Sequence, residues 1–232
     1  MVHDGAIVPD APMAYTLFIG NKNYSSWSLR PWLVLRQGGV PFREELVSLQ
    51  DDPGKADRFG RLPAGRVPVL LDGDRLVWDS LAICEYLAER HPGLWPSDPA
   101  ARAWARSVTA EMHSGFLDLR QGMSMDVRAR RPQRRRSEGM TRDIVRVERI
   151  WAETRARFGS RGELLFGTFT IADAFYAPVA FRFRTYGVTP SGAAGEYLAA
   201  LLRLPAMQEW EGSATGDERL ADHDLDRLYP DD

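Results

Sequence analysis

Short apolar runs alternate with polar loops over the first ninety residues, in the pattern of a small sheet covered by helices. An apolar run rich in β-forming residues occupies residues 15–20, and residues 42–47 can form a second strand. Between them, a helical run at residues 32–37 ends at a Gly-Gly pair. Two further runs within residues 69–78 are joined by Asp-Gly, a strong hairpin signal. Residues 81–87 have helical spacing. The predicted order is β-α-β-loop-β-β-α, with parallel and antiparallel pairs.

The remainder of the chain follows a Pro-rich break and has helical periodicity almost throughout. A loop with at most a short helix is predicted over residues 50–60 of the first part. Helices are predicted over residues 100–126 (interrupted at Gly115 and Gly122), 141–158, 170–186 and 196–204, followed by a polar segment over 212–232. We therefore predict a disordered or added tail (1–13), an α/β domain (14–93), a linker (94–100) and an all-helical domain with a polar C-terminal tail (101–232).

Charge and cysteine content exclude several classes of protein. Thirty basic and thirty-two acidic residues leave a net charge of −2, so no overall field favours nucleic acid or a membrane. The single cysteine, Cys84, excludes an internal disulfide and a multi-cysteine metal site, and its place on an apolar helix face predicts core packing. The basic run at residues 128–136 is interpreted as a solvated connection, with nucleic-acid binding as the less favoured alternative. Without a secretory leader or an apolar membrane span, we expect a cytoplasmic protein that needs no metal.

A hydroxyl-rich loop lies between the first strand and the first helix. Ser25, Ser26 and Ser28 follow the strand at the carboxyl edge of the predicted sheet, where α/β folds place their ligands. Free N–H groups at a helix start favour an anion, so a serine there can stabilise a thiolate. The simpler alternative is that these serines only cap the helix.

Two later motifs are also candidates for ligand binding. Val67-Pro68 stands before a strand: it indicates an edge strand, or else a cis bond that turns the Val67 main chain towards a ligand. Asp79-Ser80 opens the next helix, where a carboxylate and a hydroxyl can cap the helix and also hold an α-amino and an α-carboxylate group.

Three segments in this order, residues 24–30, 63–70 and 79–87, resemble the soluble glutathione S-transferase family. Residues 170–173, Thr-Ile-Ala-Asp, resemble the capping motif of that family's helical domain, with Phe169 placed as a hydrophobic staple. The resemblance implies an α/β thioredoxin-like N-terminal domain followed by an all-α helical-bundle C-terminal domain. It also implies a homodimer. The serine run is similar to the zeta and theta classes, so a bacterial, serine-type member is expected.

The resemblance assigns the catalytic serine by its distance from an arginine. If Arg30 is matched to the arginine of the zeta class, the serine that contacts the sulfur of glutathione is Ser25. Ser26 is its competitor for this role, and Tyr24 is a weaker one. Trp27 stands where zeta members carry a cysteine, which removes support for cysteine-based isomerase chemistry.

The same resemblance implies where glutathione, the co-substrate, would bind. Its contacts would be Arg66, Val67, Pro68, Asp79 and Ser80. Val67 would bond the cysteinyl main chain across a cis bond to Pro68, Arg66 (or Lys55) would hold the glycyl carboxylate, and the Asp-Ser pair would hold the γ-glutamyl group. Asp79 replaces the family's usual Glu or Gln, which shortens that side chain by one methylene.

The predicted first helix of the second domain carries the candidate electrophile contacts. His113, Phe116 and Arg120 lie near one face and could line the second pocket, although for His113 the favoured interpretation is a packing residue. The function that the resemblance implies is detoxifying conjugation of glutathione to a small hydrophobic electrophile. A zeta-like isomerase of a maleyl diacid is the alternative enzyme, and a non-catalytic or stress-associated binding protein is the alternative outside enzymes.

Overall fold

The structure is a computed structural model that describes residues 15–48, 54–132 and 135–214, with only the main chain of Lys55, Arg58 and Phe59. The predicted tail at residues 1–13, the end of the polar C-terminal segment and the Lys55 side chain lie outside the described residues. Among the helices that are described, none combines the length and the apolarity needed to cross a membrane.

The first part of the chain is a four-stranded mixed sheet with helices. Its elements are β1 (Tyr15–Ile19), α1 (Ser26–Gln37), β2 (Phe42–Leu46), α2 (Lys55–Gly60), β3 (Val69–Asp72), β4 (Arg75–Trp78) and α3 (Ser80–Ala88). The strand order is β2-β1-β3-β4, with β1 and β2 parallel and the other pairs antiparallel. The β3–β4 hairpin turns at Gly73, whose positive φ of 61° is a conformation that glycine adopts without steric cost. The predicted element order is confirmed, including one short helix in the 50–60 segment.

Six helices form the second described part. They are α4 (Pro99–Ser114), α5 (Leu117–Gly122), α6 (Glu138–Phe158), α7 (Ile171–Tyr186), α8 (Gly192–Leu202) and α9 (Pro205–Ala214). Helix was predicted as far as residue 126, and this prediction is wrong beyond Gly122, where α5 ends. Two helices begin earlier than predicted: α6 starts at Glu138, where the Ser137 hydroxyl accepts a hydrogen bond from Met140 N (3.1 Å), and α8 starts at Gly192. Helix α9 was not predicted at all.

Helix α7 is the core of the molecule, because almost all of its side chains are buried and it packs against both parts. It contacts α1 of the first part and α4 and α8 of the second. Its first turn carries the predicted cap: Asp173 Oδ2 accepts hydrogen bonds from Thr170 N (2.8 Å) and Thr170 Oγ1 (3.0 Å), and Asp173 Oδ1 accepts from Leu165 N (3.1 Å). Helix α1 is thereby held between the sheet and the helices, which fixes where its N-terminus points.

Candidate active site

The hydroxyl-rich loop places Ser25 directly before α1. The Ser25 side chain makes no capping hydrogen bond to the helix, so capping does not explain this residue. Its Oγ lies 2.7 Å from Ser28 Oγ, and Ser28 Oγ also accepts a hydrogen bond from Gly20 N (3.1 Å). Because a hydroxyl hydrogen can rotate, Ser28 can donate to Ser25 and leave the Ser25 hydrogen available to an anion. All three groups are buried.

A cavity of about 400 Å³ opens beside these serines, between the two parts of the chain. Its walls carry hydroxyls, arginines and apolar groups together. The lining residues are Tyr24, Ser25, Ser26, Trp27, Arg66, Val67, Arg120, Ser124, Met125 and Arg182. Arg120, one of the three predicted electrophile contacts, is among the residues that line this cavity together with the serines.

A second cavity, of about 300 Å³, lies on the other side of Trp27. It is lined by Trp27, Ala64, Arg66, Val67, Pro68, Trp78, Asp79 and Ser80. Three residues, Trp27, Arg66 and Val67, line both cavities, so the two are neighbouring halves of one cleft. The Val67–Pro68 peptide bond is cis. The cleft thus joins Ser25 and Ser26 to the five residues predicted for glutathione.

Asp79 has a positive φ of 71°, unusual for a residue other than glycine. Its Oδ1 caps α3 by accepting hydrogen bonds from Leu81 N (2.8 Å) and Ala82 N (3.4 Å). The other oxygen, Oδ2, lies 3.5 Å from His113 Nε2 and its side chain is about half exposed. One carboxylate oxygen therefore caps the helix, while the other is left for contacts at the cleft.

Arg30 lies behind both cavities and is completely buried. Its guanidinium is stacked between the rings of Trp27 (4.1 Å) and Phe175 (4.5 Å), and its Nη1 donates to Ser80 Oγ (3.2 Å). Because the Ser80 oxygen accepts from Arg30, its hydroxyl hydrogen can be donated to a ligand carboxylate. Burial, together with the charges of Arg120 and Arg182, holds the pKa of Arg30 well below its usual value.

His113 lies next to Asp79 and Arg30 and is not among the residues that line either cavity. Its Nδ1 is 3.4 Å from Arg30 Nη1 and its Nε2 is 3.5 Å from Asp79 Oδ2. Burial lowers its pKa, with the Arg30 and Arg120 charges acting in the same direction and the Asp79 carboxylate opposing them. A neutral imidazole that accepts from Arg30 and donates towards Asp79 fits both contacts. Phe116 also lines neither cavity: it is buried between α4 and α5, with a φ of 62°.

The loop in front of Ser25 is anchored to the helical part. Asn23 Nδ2 donates to Asp126 Oδ1 (2.8 Å), Asn23 Oδ1 accepts from Arg128 N (2.9 Å), and Trp210 Nε1 donates to Lys22 O (2.8 Å). These partners are distant in sequence, which is why no local pattern revealed them. Ser28, Arg182 and the Asn23 anchor are among the site residues that sequence reasoning did not assign. For Arg182, an arginine inside a predicted core helix was the one available signal.

Comparison with known families agrees with this architecture. The family described as "Glutathione S-transferase, N-terminal domain" matches residues 24–90, and "Glutathione S-transferase, C-terminal domain" matches residues 137–211, together more than half of the chain. The theta class glutathione S-transferase of the citrus canker pathogen Xanthomonas axonopodis pv. citri, solved with glutathione bound, is similar in structure. Its TM-score is 0.60 at 25% identity, over 84% of this chain and 96% of that one.

Curated relatives are more varied in their described roles. A stringent starvation protein A homolog of Haemophilus ducreyi is 25% identical over 81% of this chain and 83% of its own length. A probable maleylacetoacetate isomerase of Caenorhabditis elegans is 33% identical over 47% of this chain, and the match spans 49% of that relative.

The first part is a mixed sheet with a cleft at a cis-proline, and the second is a helical bundle around a capped central helix. Together they define a two-domain protein with a thioredoxin-like first domain. The chain belongs to the glutathione S-transferase family, and the predicted fold is confirmed.

Proposed function

We propose that this protein is a glutathione transferase in which the Ser25 hydroxyl stabilises the glutathione thiolate for attack on a small electrophile. The observation that carries the proposal is the cleft itself: a hydroxyl at the start of α1 shares a continuous cavity wall with the cis Val67–Pro68 bond, which leads to Asp79 and Ser80. The theta-class structural neighbour, which holds glutathione, supports the choice of ligand.

Glutathione would lie across the cleft with its γ-glutamyl end at the start of α3. Asp79 Oδ2 would accept from the α-amino group and Ser80 would donate to the α-carboxylate, since the Ser80 oxygen already accepts from Arg30. The Val67 main chain would pair with the cysteinyl residue, and Arg66, which is exposed and lines both cavities, would hold the glycyl carboxylate. This placement brings the sulfur to the serine side of Trp27.

The serine site would act by lowering the pKa of the bound thiol. A free thiol has a pKa of about 8.5 and only its anion is nucleophilic, so each unit of depression stabilises the anion by about 1.4 kcal/mol. In the structure the Ser25 hydroxyl donates to Ser28 Oγ, which also accepts from Gly20 N–H. When the Ser25 hydrogen turns to the sulfur, Ser28 would donate to Ser25 in its place, giving a chain in which each bond polarises the next. The N-terminus of α1 adds a partial positive charge. The thiolate then forms a C–S bond as the leaving group departs from the electrophile.

The test compares Ser25→Ala with the matched variant Ser26→Ala. Ser25→Ala should raise the pKa of glutathione bound to the protein, followed by thiolate absorbance, and lower kcat by about 10²- to 10³-fold, the effect of removing one donor to a developing anion. Glutathione affinity should be nearly unchanged, because the remaining contacts hold the tripeptide. If Ser26→Ala causes the loss instead, the sulfur contact is Ser26. Full activity in both variants would refute a serine mechanism.

The alternative is a non-catalytic binding protein, which is suggested by the similarity to a stringent starvation protein A homolog. It predicts no change in the pKa of bound glutathione in the Ser25 variant, and no turnover. The intact serine run and the Asp79-Ser80 pair favour the enzyme. A single steady-state assay with a small aromatic halide separates the two.

A further inference from the structure

His113 belongs to the helical part of the chain, yet it contacts the start of α3 in the sheet part. Its Nε2 lies 3.5 Å from Asp79 Oδ2, and its Nδ1 lies 3.4 Å from Arg30 Nη1. The same Nη1 of Arg30 donates to Ser80 Oγ (3.2 Å). Through the imidazole and the guanidinium, polar contacts therefore connect Asp79 to Ser80, the two residues proposed to hold the γ-glutamyl group of glutathione.

The imidazole of His113 packs against aromatic rings and is only partly accessible to solvent. Its ring centroid lies 5.5 Å from that of Trp27, in an edge-to-face arrangement, and 6.0 Å from that of Phe175. The side chain is 24% exposed. The packing fixes where the two ring nitrogens point, while the exposed part of the ring lets a proton exchange with solvent.

The two polar contacts of His113 require a neutral imidazole whose hydrogen is on Nε2. A guanidinium has donors and no acceptor, so Nδ1 has to accept from Arg30, whereas the Asp79 carboxylate accepts from Nε2. Protonation of Nδ1 removes this acceptor and places a second positive charge beside Arg30. It also strengthens the attraction of the ring to Asp79 Oδ2, the oxygen that the proposed function assigns to the α-amino group of glutathione. Both consequences act against glutathione binding.

The charges around the imidazole oppose its protonation. The groups that act on it come from three other elements: Arg30 from α1, Asp79 from the N-cap of α3 and Arg120 from α5. On α7, the ring in contact is that of Phe175, which is uncharged. Burial is the largest cause that lowers the pKa of His113 from 6.5, the two arginines act in the same direction, and the Asp79 carboxylate opposes them. His113 is therefore neutral at pH 7 and takes up a proton in weakly acidic solution.

We infer that neutral His113 positions Asp79 and Ser80 for the γ-glutamyl group of glutathione, and that protonation of His113 weakens glutathione binding. The inference rests on the proposed function for the identity of the ligand. In the complex the α-ammonium group and an imidazolium would compete for Asp79 Oδ2, whereas the α-carboxylate at Ser80 would be separated from the ring by the Arg30 guanidinium. By linkage, glutathione then expels the proton of His113. His113 contacts no reacting atom, so it is a positioning residue.

The test uses S-methylglutathione, whose blocked sulfur has no proton to lose, so that its binding reports on the γ-glutamyl end alone. Calorimetry on the full chain should show an affinity that falls at least about 5-fold between about pH 7 and pH 5, since one unit of difference in the pKa of His113 between free and bound protein is about tenfold in affinity. At about pH 6, binding should release protons, detected as an enthalpy that varies with the ionisation enthalpy of the buffer. An affinity that is constant or rises as the pH falls would overturn the inference.

Two variants of His113 separate its charge from its hydrogen bonds. His113→Gln should remove the pH dependence and keep the affinity at pH 7 within about 3-fold of the wild type, because an amide accepts and donates at every pH. His113→Phe keeps a ring against Trp27 and Phe175 without the polar contacts, and should bind at least about 5-fold more weakly at pH 7, the scale of a lost hydrogen bond. An unchanged pH dependence in His113→Gln, or wild-type affinity in His113→Phe, would overturn the inference.

The matched control is a histidine at the other end of α3. His91 follows that helix, and its Nε2 lies 3.2 Å from the hydroxyl of Tyr15. His91→Gln removes one titratable imidazole from the same domain without touching the γ-glutamyl contacts, so it should keep the wild-type dependence of S-methylglutathione affinity on pH. Loss of the dependence in His91→Gln, with its retention in His113→Gln, would assign the effect to the wrong histidine and overturn the inference.

Comparison with the serine variants separates this inference from the proposed function. Binding of S-methylglutathione that depends on pH through His113, with full activity in Ser25→Ala and Ser26→Ala, would retain the inference and refute the serine mechanism. Binding that does not depend on pH, with turnover lost in Ser25→Ala, would retain the transferase and refute the role of His113. If neither S-methylglutathione nor glutathione binds, both proposals are refuted.

Discussion

At the scale of single residues, Asp79 performs two tasks with its two oxygens. Oδ1 closes the start of α3, and Oδ2 lies beside His113 at the cleft. A carboxylate can do this because it accepts several hydrogen bonds at once. The φ of Asp79 is positive, and Asn is among the few residues that adopt such a φ readily.

Asp79→Asn should therefore separate ligand binding from capping. The amide oxygen keeps the cap while the charge that would hold the α-amino group is lost. We expect glutathione affinity to fall by about 1.5 to 3 kcal/mol, measured by calorimetry, with an unchanged melting temperature. Asp79→Ala is the comparison: it should lose about 0.5 to 2 kcal/mol of stability as well, because the cap is gone. Wild-type affinity in the Asn variant would remove Asp79 from the binding site.

Sequence reasoning at this scale found residues that belong to contiguous motifs. Ser25, Val67 and Asp79 each stand at a strand end or a helix start, and such positions can be found from periodicity alone. His113 shows the limit, because it was expected in the electrophile pocket and instead contacts Arg30 and Asp79. Its place depends on how α4 packs against the first domain, and no local pattern encodes that packing.

At the scale of elements, the first turn of α7 is stabilised by a buried carboxylate. Asp173 is completely buried and receives three hydrogen bonds, from Thr170 and Leu165. Replacing Asp173 with Ala would leave these donors without an acceptor. We expect the free energy of unfolding to fall by about 2 to 4 kcal/mol in denaturant titrations. A loss below about 0.5 kcal/mol would show that water replaces the carboxylate.

The same carboxylate should also give stability a dependence on pH. Burial raises the pKa of Asp173 from 3.8 to about 6, against the hydrogen bonds that oppose it. Between about pH 4 and pH 6 the folded protein keeps a proton that the unfolded chain has released, so stability should fall as pH rises through this window. The Asp173→Asn variant should lack this component. The measurement is the difference between its unfolding free energy and that of the wild type across the window; a difference independent of pH would contradict the assignment.

The elements themselves were predicted where the sequence contains a cap or a breaker. The break between α4 and α5 falls at Gly115, and α7 begins at its Thr-Ile-Ala-Asp cap. Helix α9 was missed because its few buried side chains, such as Trp210 and Met207, are separated by polar residues and give a weak periodicity. Its apolar face is defined by contact with α1, a long-range feature.

At the scale of the whole molecule, an apolar edge suggests how copies of the chain associate. β4 is an edge strand of the sheet, and its Leu76 and Trp78 are 43% and 48% exposed. Exposed apolar edges favour association unless they are covered. We expect a homodimer, as the family resemblance implies, with the first domain of one chain packed on the helical domain of the other. Light scattering should give twice the chain mass of 26.1 kDa, and an active monomer at micromolar concentration would refute this prediction.

The anchoring of the serine loop has a consequence for how such proteins can be recombined. Asn23 is hydrogen-bonded to Asp126 and Arg128, and Lys22 to Trp210. The position of the Ser25 hydroxyl therefore depends on both halves of the chain. A chimaera that joins this sheet domain to a foreign helical domain would keep Ser25, Val67 and Asp79 and would still misplace the Ser25 hydroxyl. Only donors that carry an acceptor at the position of Asp126 and an indole at that of Trp210 would yield working hybrids. In evolution, the two halves would have to change together.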